Sequence, residues 1–128
     1  MIVRAFLFLS FSMTMMISCQ HQSKEKWLIG KWQYYKTGYK SGEGITWKVE
    51  EDSKNYTMLF DKDGNFIFNN GQIDQLNGTY KLINEGKYIV TEYHELHKRD
   101  TTNIISLISD ILQVQMTYNN ILQLKKVN

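Results

Sequence analysis

The chain has 128 residues, of which 22% are charged and 13% aromatic, with a formal net charge of +2, one cysteine and no proline. Basic residues scattered evenly among Asp and Glu exclude an electrostatic nucleic-acid binder, which needs a clustered basic surface. A single cysteine excludes an internal disulfide, so stability has to come from hydrogen-bonded sheet and apolar burial.

The N-terminus is organised as a secretory signal. Arg4 supplies the positive charge, and Ala5 to Ile17 form an uncharged apolar run. That run is shorter than the roughly 20 apolar residues a membrane-spanning helix requires. Polar residues follow at once, from Gln20 to Glu25. Met16-Ile17-Ser18-Cys19 resembles a bacterial lipobox, with a small residue before the cysteine and Met16 in place of the usual Leu. The resemblance implies that residues 1–18 are removed and that Cys19 becomes the lipidated N-terminus. It also accounts for the odd cysteine. Gln20 stands where an inner-membrane retention signal has Asp, which implies the outer membrane of a Gram-negative cell. Residues 19–26 then form a polar tether, and residues 27–128 are long enough for one small domain.

Beyond the tether the pattern alternates between short strands and turns. Trp27-Leu28-Ile29 is expected to form one helical turn. Lys31 to Lys36 alternates Trp32 and Tyr34 against Lys31 and Gln33, the period of a half-buried strand. Ile45, Trp47 and Val49 share one face of the next segment, and Tyr56, Met58 and Phe60 one face of the third. Asp61-Lys-Asp-Gly-Asn65 is a hairpin turn, because Asp-Gly supplies the positive-φ positions such turns need. Phe66 and Phe68 lead the returning strand. Asn69 to Asn77 reads as a long polar loop, Gly78 to Ile83 as a strand, Asn84 to Gly86 as a turn and Lys87 to Tyr93 as a strand. Thr102 to Ile108, Ile111 to Tyr118 and Ile121 to Val127 complete the series, with turns at Ser109-Asp110 and Asn119-Asn120. Eight or nine short antiparallel strands without disulfides predict a sandwich or a closed barrel, and closure hides the sheet edges.

Leu28-Ile29-Gly30-Lys31-Trp32 resembles the Gly-x-Trp opening of lipocalins. The hairpin from Phe60 to Phe66, the Gly78-Thr79-Tyr80 strand opening and the pattern Ile104, Leu107, Asp110, Leu112 resemble the small lipocalin-like lipoproteins of Bacteroidetes. The resemblance implies an all-β, antiparallel up-and-down barrel of about eight strands. Longer lipocalins place an arginine near the end of the chain across the motif tryptophan, where this sequence offers Lys125 and Lys126. A lysine there can still make a cation–π contact.

Residues that could carry chemistry are sparse. Glu92, His94, Glu95 and His97 cluster, but the histidines point to opposite faces of a strand and lack a third ligand, so no metal site is expected. The Asp61 turn has its glycine in fourth place, not the sixth that a calcium-binding EF-hand loop requires. No Gly-x-Ser-x-Gly elbow is present, and the one cysteine is assigned to lipid. The expectation is therefore a non-enzyme without cofactor. The remaining candidates are aromatic. Trp32, Tyr34, Trp47, Tyr56, Phe60, Phe66, Phe68, Tyr80 and Tyr88 are expected to line a cavity or fill the core. Two functions stay open. One is a lipid-anchored carrier of a small hydrophobic ligand or lipid. The other is an envelope protein with a solid core that meets a protein partner through a strand edge or through the loops Thr37 to Gly44, Asn69 to Asn77 and Leu96 to Thr101.

Overall fold

The computed structural model describes residues 24–49, 56–71 and 75–127. Cys19, the signal segment and the first part of the expected tether lie outside the described residues. Nine strands follow one another: β1 (Gly30–Ser41), β2 (Gly44–Val49), β3 (Tyr56–Phe60), β4 (Asn65–Asn70), β5 (Gln75–Ile83), β6 (Tyr88–Tyr93), β7 (Lys98–Ile108), β8 (Ile111–Thr117) and β9 (Asn120–Val127). Every pairing is antiparallel, and β1 also pairs with β9, so the sheet closes on itself. The barrel wall has eight strands, β1 and β3 to β9. The ninth, β2, is an addition outside the wall.

The arrangement around β1 explains how β2 is left over. One edge of β1 is divided: Gly30 to Gln33 pair with β3, while Lys36 to Ser41 pair with β2. The other edge pairs with β9 from Lys31 to Tyr39, with a register shift between Tyr34 and Lys36. That bulge places one extra residue in β1 and resets the alternation. Trp32 and Tyr34 face the interior before it, and Thr37, opposite Leu122, faces the interior after it.

The turn chemistry is local. At the β3–β4 turn, Asp61 Oδ1 accepts hydrogen bonds from the backbone N–H groups of Asp63 (2.9 Å) and Asn65 (2.8 Å), and Oδ2 accepts one from the Asn65 amide at 3.0 Å. Gly64 follows with φ of 84°, a left-handed conformation that favours glycine.

The structure departs from the sequence expectations in its boundaries. Strand β1 runs on through Ser41, so the segment Thr37 to Gly44 is a hairpin with only residues 42 and 43 in its turn. Asn69 and Asn70 end β4, and Gln75 to Asn77 begin β5, so most of the expected polar loop is strand. Lys98 to Thr101 likewise belong to β7. The helical turn covers residues 24–28 and so begins inside the expected tether. Polar residues form these strand ends because the rims of the barrel meet water and need no apolar alternation.

The core lies at one end of the barrel. Leu28, Trp32, Phe60, Leu112 and Leu124 are each at most 2% exposed, and Phe66, Ile89 and Val114 join them. Phe60 packs against Phe66 and, edge to face, against Tyr80, with ring centroids 5.1 and 5.0 Å apart.

Candidate functional site

The end that carries the core is closed by the helical turn. Glu25 C=O accepts from Ile29 N–H, and the Trp32 indole N–H donates to the Leu28 carbonyl at 2.8 Å. The chain then bends sharply into β1 at Gly30, whose φ is 141°. That conformation favours glycine, and a Cβ at Gly30 would also stand 3.0 Å from Cε of Lys126, whose stem would have to shift slightly. The Lys126 ammonium lies 5.1 Å from the Trp32 ring centroid and donates to the Trp27 carbonyl at 2.9 Å. Of the two lysines expected to meet the motif tryptophan, Lys126 does so. Lys125 lies on the outer face, 5.6 Å from the Tyr35 ring centroid. The turns seal the same end: Lys24 Nζ donates to Glu85 C=O at 3.1 Å, the Tyr80 hydroxyl donates to Asp61 C=O at 2.5 Å, and Lys126 N–H donates to Asp110 C=O at 2.8 Å.

Above this floor the barrel is hollow. One space of about 290 Å³ has Phe60, Phe66, Ile89, Leu112 and Val114 beneath it and Thr91, Tyr93, Lys98, Asp100, Thr101 and Thr102 along the β6–β7 wall. A second, of about 350 Å³, is lined by Tyr34, Tyr56, Phe68, Leu122 and Leu124. Met58 and Met116 border both, so the two adjoin. The opening is at the far end from the helical turn, where Met116 (52% exposed) and Tyr56 (43%) line the hollow and still reach solvent.

The hollow has two chemistries. Its β1, β3, β4 and β9 sides are aromatic and aliphatic; Tyr56 stands edge-on to Tyr34 and tilted against Phe68, each with centroids 6.3 Å apart. The Tyr34 hydroxyl is satisfied by the Thr37 hydroxyl. The β6–β7 side is polar. Lys98 Nζ and Asp100 Oδ1 are 3.6 Å apart at the mouth, both substantially exposed. Burial pushes the Tyr93 phenol above its ordinary pKa, a hydrogen bond with Thr91 opposes that, and the Asp100 charge adds to the rise. The Tyr93 ring also reaches over Gly78 to meet Phe66, centroids 5.9 Å apart. A Cβ on Gly78 would come within 2.0 Å of the Glu92 carbonyl oxygen, so only glycine lets these strands approach.

The aromatic candidates divide by position. Trp32, Phe60 and Phe66 are in the sealed core, with Tyr34, Phe68 and Tyr80 packed against it. Tyr34, Tyr56, Phe60, Phe66 and Phe68 line the hollow. Trp47 is on β2, outside the barrel, covering Gly38: a Cβ there would meet its ring at 2.8 Å. Lys36 sits 4.5 Å from the Trp47 ring centroid. Tyr88 alternates with the inward Ile89 and therefore faces outward. The aliphatic lining, including Met58, Met116, Leu122 and Leu124, and the polar set on β6 and β7 lie outside the aromatic candidates. Tyr35, Gln123 and Gln113 form a hydrogen-bonded row on the outer wall that keeps the buried Gln123 side chain satisfied.

His94, Glu95 and His97 are exposed in the β6–β7 turn, and Glu92 pairs with Arg99 on the outer face. Among the described residues, no group of three or more His, Cys, Asp or Glu side chains is placed to hold a metal ion.

No protein-family model matches the chain, and no curated protein does. Two solved structures are similar to it. A lipocalin-like protein from Bacteroides uniformis superposes with a TM-score of 0.60 at 18% identity, over 79% of this chain and 99% of that one. An uncharacterized protein from Bacteroides eggerthii superposes with a TM-score of 0.58 at 14% identity, over 78% and 99%. The closed eight-stranded antiparallel barrel with one extra strand is thus a lipocalin-like fold.

Proposed function

We propose that this protein is a binding module that carries a small hydrophobic or amphiphilic molecule in the barrel, held at the outer membrane by lipid on Cys19. The observation that carries the reading is the hollow above a sealed floor. Ligand pockets run from roughly 300 to 1,000 Å³ and combine apolar lining with a few placed polar groups. The two adjoining spaces fall in that range together, and their polar groups gather on one wall. An apolar tail against Tyr34, Phe68 and Leu122, with a polar head toward Thr91 and Lys98, satisfies both sides. Native mass spectrometry of the protein purified from its own host, paired with titration of a fluorescent fatty acid, tests this. A co-purified ligand or saturable, displaceable binding is expected; neither appearing removes the reading. Anchoring is tested by Cys19→Ser, which should move the protein from the membrane fraction to the soluble one.

A second reading is favoured by β2. Among the described residues that strand pairs only with β1, and Ile45 (44%) and Val49 (65%) are exposed on it. An exposed edge is a template for strand addition by a partner protein. A partner captured by the wild type but not by a variant with Val49→Pro would establish it.

A further inference from the structure

We propose that the closed end of the barrel rests on the bilayer that holds the protein and that the mouth faces away from it. The proposal rests on the reading of Cys19 as the lipidated residue. Both ends of the barrel expose apolar side chains, so exposure alone does not choose between them. At the mouth, Leu96 is 56% and Tyr118 89% exposed; at the closed end, Trp27 is 47% and Ile108 65% exposed.

Chain geometry decides. The helical turn begins at residue 24 and seals the closed end. Five residues, 19 to 23, separate it from the bilayer, and fully extended they span at most about 18 Å. Strand β1 has 12 residues and runs from the closed end to the mouth. At about 3.3 Å per residue and a tilt near 40°, β1 and the 11-residue β7 carry the rim roughly 30 Å above the floor. A membrane touched by the mouth would lie that far from the closed end, although shorter strands such as the 6-residue β6 rise only about 15 Å. An anchor attached at the closed end therefore cannot bring the mouth against the same membrane.

The closed end is also built to meet an interface. Trp27 and the β7–β8 turn are joined through Lys126, whose ammonium donates to Trp27 C=O and whose backbone N–H donates to Asp110 C=O. This sets Trp27 and Ile108 at one end of the molecule. Tryptophan favours the headgroup level of a bilayer. Charges there are mixed, with Lys62 between Asp61 and Asp63, so the contact is apolar and should not weaken in salt. Ligand then enters and leaves on the aqueous side, not by lateral passage from the leaflet beneath.

Lipidation consumes the only native thiol, so single cysteines introduced by Ile108→Cys and Tyr118→Cys can each carry an environment-sensitive fluorophore; both positions are exposed enough to tolerate it. The mature lipidated proteins, extracted from membranes, are placed in vesicles of phosphatidylethanolamine and phosphatidylglycerol containing a nitroxide-labelled lipid. The probe at position 108 should lose emission to the nitroxide, at low and high salt alike, and the probe at 118 should not. Quenching at 118, or equal quenching at both, overturns the orientation. Membrane fractionation beside the Cys19→Ser variant separates the causes. If both proteins are soluble, anchoring fails and the orientation falls with it. If only the variant is released and position 118 is quenched, the orientation alone is wrong.

Discussion

Lys126, near the end of the chain, ties the last strand to three neighbouring points at the start of the barrel: the helical turn through Trp27 C=O, the motif indole of Trp32, and Gly30, over which its stem passes. A cation–π contact contributes roughly 0.5–2 kcal/mol and a charge-assisted hydrogen bond a similar amount. Lys126→Met keeps the stem and removes both, and chemical denaturation should show a loss of about 1–2 kcal/mol. Gly78→Ala is a harsher test, since its new methyl would press on the backbone at Glu92 with no flexible side chain to yield. It should destabilise by about 3 kcal/mol or more in the same assay. Asp61 links stability to pH. Hydrogen bonds to its carboxylate, the Asn65 N–H first, lower its pKa from the ordinary 3.8. A lowered folded-state pKa stabilises the protein above the ordinary value, and that stabilisation is lost as pH falls through the lowered one. The wild type should therefore lose stability below about pH 4, and Asp61→Ala should show a flatter acid limb in thermal melts.

Among the elements, the helical turn matters most for its length. Residues 24–28 contribute one fully buried side chain, Leu28, and one carbonyl for the Trp32 indole. Leu28→Ala should cost about 2–4 kcal/mol by urea denaturation, the range for a leucine that leaves a cavity behind. The strands were legible because period-2 alternation and Asp-Gly turn chemistry are local properties. Tyr56, Met58 and Phe60 were read as one face, and they are the inner face. Alternation says which residues share a face, however, and not which face is inside. Ile45, Trp47 and Val49 alternate just as well, yet their strand lies outside the closed wall. In β6 each face carries an aromatic and an apolar or hydroxylic residue, and only the charged Glu92, two and four residues from Val90 and Tyr88, marks the outer one. The polar wall of the hollow was hidden for the opposite reason: Lys98 to Thr101 are charged or hydroxylic and look like loop until β6 pairs with them.

For the whole molecule, the question is how much of the interior its own side chains fill. The aromatic set was expected to be core or cavity lining, and the barrel divides it between a packed lower layer and an open upper one. Met58 borders both spaces, so Met58→Trp should fill the hollow. The variant should keep its stability within about 1 kcal/mol, because the space already exists, while fluorescent fatty-acid affinity falls about tenfold or more. Unchanged affinity would place the ligand elsewhere. High pH probes the same interior. Burial raises the pKa of Tyr80 and Tyr93 above 10.0. A raised folded-state pKa gives stability that is complete below the ordinary value and lost as pH rises through the raised one.

The seam between β1 and β9 sets a condition on how the protein is made. Lys31 lies opposite Val127, and the ladder continues to Tyr39 opposite Asn120. Contacts this far apart in sequence must await the intervening chain, and they slow folding. A ribosome, which releases the chain N-terminus first, delivers β1 at the beginning and its partner last. Until β9 arrives, the barrel is an open sheet with its aromatic face uncovered. The native state can therefore be reached only once the last strand has been released, however early β1 is made.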